Sequence, residues 1–373
     1  MTIEQTGIPI SPTRVDICRH DLKRMHTLAR TLFRLSQRES YQQRVFPEVP
    51  EIARFDPGHA ALMMGYDFHL GPDGPRLIEV NTNAGGAFVA WQSQMRDLQG
   101  GAGIAMSGRF QQRLLFSFQR EWREFSRSLQ ALKCLVILDD DPPNQPLYPE
   151  MVSCRDWLIR HGIDTRIADP GDLQSSAEGV YHQGRKVELI YNRHCDFYLE
   201  DEAQSALRSA YLAGSVCLSP NPFAYGLLAD KRRMTLWSDE AVLQQLGLSS
   251  ARTRLLLEMV PLSRLMGDMD ATHLWDERKQ LIFKPVNKFG GRGVLMGKSI
   301  TRKRFAEMEP DSTLVQQLVP PSQVTSKDGE SFKVDLRLFV YRDHLLGVGA
   351  RLYQGQLTNL RTPGGGFAPV RIV

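Results

Sequence analysis

Cysteine is scarce and scattered. There are five in 373 residues (Cys18, Cys134, Cys154, Cys195 and Cys217), an odd number at wide spacing with no C-x-x-C pair. That pattern argues against a zinc framework or a disulfide scaffold, so reduced thiols and a cytoplasmic location are expected. Long apolar runs are missing too; none approaches the ~20 residues a membrane helix needs. Residues 1–14 are polar and carry Pro9 and Pro12, without the charged-then-apolar pattern of a secretion signal. Two phosphate-binding fingerprints are also lacking. Gly297-Lys298-Ser299 looks like the end of a P-loop, but Arg292 stands where its first glycine belongs. G-x-G-x-x-G does not occur, which removes the dinucleotide fingerprint. Charge of one sign is in short supply: 46 Lys+Arg against 42 Asp+Glu leave +4. The longest basic tract is as short as Lys231-Arg232-Arg233, and no compact stretch interleaves basic with aromatic residues. A nucleic-acid partner is therefore not expected, nor a membrane, and an anionic small ligand accounts for the mild positive excess.

The composition that remains, 42% hydrophobic and 24% charged, is that of a globular enzyme, and the length suits two or three packed lobes. Apolar residues at helical spacing predict a helix over 19–36. Alternation predicts strands at 60–70 and 75–81, joined by the turn Gly71-Pro72-Asp73-Gly74. A long helix is expected over 105–130, with Phe110, Phe116, Trp122 and Phe125 on one face. From 134 to 213 the rhythm is β-α-β: strands at 134–138, 162–168 and 187–191, helices at 148–161 and 201–213. Helical pattern fills 223–246, and strands are expected at 281–286, 293–297, 313–319, 333–341 and 345–353. The fold class is α/β (α+β), in three parts: 1–130, 131–220 and 221–373.

Three constellations carry chemistry. In Leu77-Ile78-Glu79-Val80-Asn81, alternation puts Glu79 and Asn81 on one strand face, and the hairpin brings Asp67 beside Glu79. Such oxygen ligands suit Mg²⁺, although a half-exposed polar strand would look the same. Farther on, Leu281-Ile282-Phe283-Lys284-Pro285 leads into Asn287-Lys288-Phe289-Gly290-Gly291-Arg292-Gly293. This is a strand ending in a lysine, then a glycine loop whose backbone N–H groups can cradle phosphates. Lys231 is a further cation for phosphate, or an ordinary helix-surface lysine. The strand 314–319, with Gln317 and Val319, could offer backbone groups to a base edge. Lastly, Asp335, Arg337 and Phe339 alternate on one strand, Arg351 ends its partner, and Arg361 follows before Gly364-Gly365-Gly366. Arginines on one sheet face suit forked recognition of phosphate or carboxylate.

Together Lys231, the K-P and glycine loop at 284–293, the 314–319 strand, D-x-R at 335–337 and E-x-N at 79–81 resemble the ATP-grasp superfamily. The E-x-N stands about 200 residues before the glycine loop instead of last. That order is similar to the circularly permuted branch of eukaryotic-type glutathione synthetase and glutathionylspermidine synthetase. The phrase I-E-V-N with an Asp twelve residues earlier is closest to the latter. The resemblance spans about 60 to 367. It implies a permuted ATP-grasp fold with a β-α-β lobe and a small mobile lid. Asp67, Glu79 and Asn81 would hold Mg²⁺, Lys231 and Lys284 would meet the phosphates of ATP, and Gly290, Gly291 and Gly293 would cover them. Gln317 and Val319 would flank the adenine, and Arg337, Arg351 and Arg361 would serve catalysis. The implied reaction activates a small amino-acid or peptide-like carboxylate as an acyl phosphate and joins it to an amine. Alternatives are a phosphotransferase and a non-catalytic ATP-binding protein. Homodimers are common in the superfamily. One departure stands out: relatives tend to carry arginine two residues before the metal Asp, where this chain has Gly65. Arg54, Arg351 and Arg361 are candidates to replace it.

Overall fold

The computed structural model describes residues 8–97, 109–176, 178–288, 290–359 and 362–373. The strands Met64–Gly71 and Gly74–Asn81 form the expected hairpin. This hairpin extends an antiparallel sheet whose other strands come from the far end of the chain. The order is Gly366–Ala368, His344–Tyr353, Ser331–Tyr341, Met64–Gly71, Gly74–Asn81, with Ser322–Thr325 also pairing with Ser331–Tyr341.

Period-two alternation, broken by a bulge in the hairpin opposite Asp67 and Phe68, gives this sheet two unlike faces. Tyr66, Phe68, Leu77, Val80, Val334, Leu336, Leu338, Val348, Ala350 and Leu352 form one hydrophobic core with the inner face of the helix Arg19–Ser36, including Met25, Leu28 and Leu32. The intervening residues point the other way. There Phe339 packs with the helix Ala87–Asp97, and Gly349 lies so close to Ala90 that a Cβ would sit 2.7 Å from the alanine methyl. The rest of that face carries Asp67, Glu79, Asn81, Asp335, Arg337 and Arg351, joined in one hydrogen-bonded cluster.

Two four-stranded sheets accompany it, beside the two-stranded pair Val15–Ile17 with Val370–Ile372 and the three-stranded sheet Leu173–Ser176, Gly179–His182, Arg185–Val187. Cys217–Ser219, Leu189–Asn192, Cys134–Leu138 and Asp164–Ala168 make a parallel sheet in that order, as the β-α-β rhythm predicts. The helix Tyr148–Arg160 packs on it through Met151, Cys154, Trp157 and Leu158. The small antiparallel sheet Ser263–Leu265, Thr313–Gln317, Leu281–Pro285, Leu295–Met296 has a core of its own: Met266, Leu274, Phe283, Ile300 and Val315. Among the described residues no helix is long and apolar enough to cross a membrane.

Several elements differ from expectation. The pattern at 223–246 is three short helices, Pro222–Leu228, Arg233–Trp237 and Glu240–Gln245. Asn221 caps the first through Ala224 N–H (2.8 Å), and Asp239 caps the third through Val242 N–H (3.1 Å). The helix expected over 105–130 spans Phe110–Ser126, and residues 98–108 lie outside the described ones. Its inner face is Phe110, Leu114 and Phe118, whereas Phe116 is 49% exposed. The strand expected at 293–297 shrinks to Leu295–Met296, and that at 60–70 starts at Met64.

Candidate active site

The polar cluster is built by register. Asp67 stands directly across from Glu79 on one side and from Arg337 on the other, and Asp335 stands across from Arg351. Arg337 grips Asp67 with both prongs of its guanidinium: Nε to Oδ1 and Nη2 to Oδ2, each 2.6 Å, while Nη1 donates to the Gly85 carbonyl (3.0 Å). Arg351 donates to Asp335 through Nε (2.7 Å) and Nη2 (2.9 Å), and the same Nη2 reaches Asp67 Oδ2 (3.0 Å). Asn81 Nδ2 lies 3.3 Å from Asp67 and 3.2 Å from Glu79. Burial pushes the Asp67 carboxyl up, but the Arg337 and Arg351 guanidiniums outweigh it and hold Asp67 well below the ordinary carboxylate range. Burial likewise disfavours the charge on Arg351, which Asp335 and Asp67 more than offset.

Gly65 belongs to this arrangement. A Cβ there would sit 2.8 Å from the Ala84 methyl and 3.3 Å from Cδ and Nε of Arg337. Arg337 thus crosses the space above Gly65, and a side chain at 65 would push it off Asp67. The arginine over this position is therefore Arg337. Arg54 donates elsewhere, to the Val49 carbonyl (3.3 Å), and Arg361 lies outside the described residues.

Lys231 and Lys284 line one cleft together with Glu79, among Ile78, Val80, Leu228, Met234, Trp237 and Leu314. Lys231 follows the helix that Asn221 and Pro222 start, and its ammonium meets the Lys288 carbonyl at the foot of the glycine loop. Lys284 is buried and donates to the Ile78 carbonyl (3.0 Å) and to Gln316 Oε1 (2.7 Å). Burial brings its ammonium down to about 8, with Glu79 opposing and Lys231 reinforcing the shift. Burial lowers Lys231 as well, against Glu79 and Asp230.

The strand Thr313–Gln317 presents Gln316, a residue the sequence reading passed over, to the cleft side. Ser263 accepts from the Gln316 amide (3.2 Å) and so aims its oxygen at Lys284. Gln317 is exposed, its N–H already donates to the Leu262 carbonyl (2.9 Å), and the Val319 carbonyl is paired with His69 Nδ1 (2.8 Å). Leu314 and Val315 are both apolar and both buried, so the strand's composition does not reveal which glutamine faces in. In the loop, Gly290, Gly291 and Gly293 have φ of +61°, +73° and +74°, the left-handed region open to glycine. A Cβ at Gly291 would lie 3.8 Å from Leu357, in the segment that follows Arg351.

The donor set suits a hard cation in part. Glu79 and Asn81 can present oxygens, Asn81 after a half-turn of its amide. Both Asp67 oxygens already accept from guanidiniums, so Asp67 could join a cation only in exchange for one of those bonds. The two lysines and the glycine loop suit phosphate oxygens.

No family model matches the chain. No curated protein matches it either. Solved structures do. A glutathione synthetase-like effector from Globodera pallida, in its apo form, is 12% identical and superposes with a TM-score of 0.64 over 98% of this chain and 90% of that one. A putative γ-glutamylcysteine synthetase from Methylobacillus flagellatus KT is also 12% identical, with a TM-score of 0.52 over 93% and 87%. At this identity the likeness speaks for the fold alone: the chain shares its α/β fold with these two synthetase-like structures.

Proposed function

We propose that this ATP-grasp-type chain is an ATP- and Mg²⁺-dependent ligase that joins a small amino-acid or peptide-like carboxylate to an amine. The observation that carries the reading is the convergence of Glu79, Lys231 and Lys284, from three distant segments, on one cleft beside the Asp67–Arg337–Arg351 cluster. Positive groups at a partly buried site favour polyphosphate and stabilise charge as it moves in phosphoryl transfer. Glu79 and Asn81 would hold the cation, which would neutralise phosphate charge. Lys231, Lys284 and the 290–293 lid would hold the phosphates, and the adenine would lie along Leu228, Met234 and Leu314 near the 317–319 hinge. Arg351 and Arg337 would orient the carboxylate against the γ-phosphorus. The carboxylate oxygen attacks, ADP leaves, and an acyl phosphate results. The amine then attacks the acyl carbon, loses a proton and expels phosphate. Along the chain the Glu79–Asn81 hairpin precedes the lid, the order of a circularly permuted ATP-grasp.

A second reading has one observation in its favour. Because guanidiniums fill both Asp67 oxygens, the chain could bind ATP without turning it over. Titrating ATP calorimetrically with and without Mg²⁺, then measuring phosphate release against amino acids, short peptides and polyamines, separates the readings. Binding with amine-dependent phosphate release is expected of a ligase, a stable phosphoester of a phosphotransferase, and binding alone of the second reading. No ATP binding would overturn all three.

A further inference from the structure

Arg351 is held in a way that its own strand does not explain. Its guanidinium lies between two carboxylates, Asp67 of the hairpin and Asp335 of the neighbouring strand. Asp335 is 3% exposed, so its charge must be compensated from within the protein. Two groups do this: Arg351 by a two-pronged bond, and Thr358, whose hydroxyl donates to Asp335 Oδ2 (2.7 Å). Thr358 is not on the sheet. It belongs to the segment 354–359, which is braced internally: Asn359 Nδ2 donates to the Gln354 carbonyl (3.0 Å), and Thr362 donates to Asn359 Oδ1 (3.0 Å). Lys333 ties it to the sheet through the Gly355 carbonyl. The same segment passes close to the glycine loop, where a Cβ on Gly291 would lie 3.8 Å from the Leu357 side chain.

We infer that Asp335 and Thr358 are positioning residues for Arg351: Asp335 fixes one edge of the guanidinium, and Thr358 fixes Asp335 only while the 354–359 segment is docked beside the glycine loop. The segment thereby couples closure over the phosphates to the aim of the arginine. The logic is that of a buried shared carboxylate. Asp335 has two strong donors, and loss of the hydroxyl leaves its Oδ2 under-satisfied. Arg351 then shifts its weight between Asp335 and Asp67, and its remaining donors no longer point at a fixed place. This rests on the nucleotide reading above, because the arginine's target is a terminal phosphate or the carboxylate beside it.

The test uses the full chain and two substitutions at an exposed position, Thr358→Val, which keeps the shape, and Thr358→Ser, which keeps the hydroxyl. The readout is the ratio of affinities for a non-hydrolysable ATP analogue and for ADP, both with Mg²⁺, by calorimetry. Wild type is expected to prefer the triphosphate. Thr358→Val should lose about tenfold of that preference, the scale of one hydrogen bond to a charged group, with ADP affinity unchanged. Thr358→Ser should restore it. A merely structural threonine would move both affinities together. If wild type and Thr358→Val discriminate equally, the positioning role is overturned while the nucleotide reading stands. If wild type binds neither nucleotide, the nucleotide reading fails and this inference falls with it.

Discussion

Nucleotide binding beside Lys284 should draw a proton from solvent. The lysine is 4% exposed, and its ammonium has two neutral acceptors, the Ile78 carbonyl and the Gln316 amide oxygen. Burial lowers it to about 8; Glu79 nearby resists this and Lys231 adds to it. A group titrating there is about one-tenth neutral at pH 7, roughly half at pH 8 and about nine-tenths at pH 9. Phosphate oxygens favour the ammonium and pull its titration back toward the ordinary lysine value. Uptake per nucleotide bound should thus be ~0.1 proton at pH 7, ~0.5 at pH 8 and ~0.9 at pH 9, and affinity should fall by up to about tenfold per pH unit above 8. The sign for folding is the reverse. Between about 8 and about 10.4 the unfolded chain holds the proton that the folded chain has released, so stability should rise with pH in that window and stay flat below it. Calorimetry of Mg·ATP in two buffers of different ionisation heat, at pH 7, 8 and 9, measures the uptake directly. Lys284→Met should abolish most of it, Lys231 being the other lowered lysine. Equal uptake at pH 7 and pH 9, or uptake undiminished in Lys284→Met, would refute the reasoning.

Three other outcomes are expected. Glu79→Gln should remove most of the Mg²⁺ dependence of ATP binding while thermal denaturation stays within a few degrees of wild type, about the scale of a surface change; an unchanged Mg²⁺ dependence would move the cation elsewhere. Gly65→Ala adds a methyl 2.8 Å from Ala84 and 3.3 Å from Arg337, and should cost about 1–3 kcal/mol in urea denaturation, the usual range for overpacking; wild-type stability would show that the neighbours yield freely. Arg337→Lys replaces the two-pronged bond to buried Asp67 with a point charge and should cost about 1–3 kcal/mol at pH 7. Asp67 is depressed in the folded chain, so its stabilisation is present above the ordinary carboxyl value of about 3.9 and fades as pH falls through the lower folded value. The gap between wild type and Arg337→Lys should therefore narrow only as the pH falls toward that lower folded value, and denaturation curves taken from pH 7 down to pH 2 would show a constant gap throughout if the argument is wrong.

What the chain determined by itself is local. The turn residues 71–74 and strand alternation are enough to pair the two strands and bring Asp67 near Glu79, but the turn's own register would set Asp67 across from Ile78, and a bulge between Asp67 and Phe68 shifts it to Glu79. The β-α-β rhythm of 134–192 and the amphipathic helix at 19–36 were legible for the same reason: each depends on periodicity within one stretch. Tertiary structure decided the rest. Arg337 reaches Asp67 across 270 residues, and no local pattern shows that it would fill the space above Gly65. Inward Gln316 and outward Gln317 differ only in what packs on each face of a strand with apolar neighbours. Phe116 and Phe118 are both aromatic helix residues, yet only Phe118 meets the core, because the bearing of that helix is set by the sheets it bridges. Thr358 drew no notice in sequence, since a hydroxyl in a loop gains meaning only from the buried carboxylate it meets. Strand periodicity says which residues share a face, and only the packing of distant strands says which charges must share a cleft.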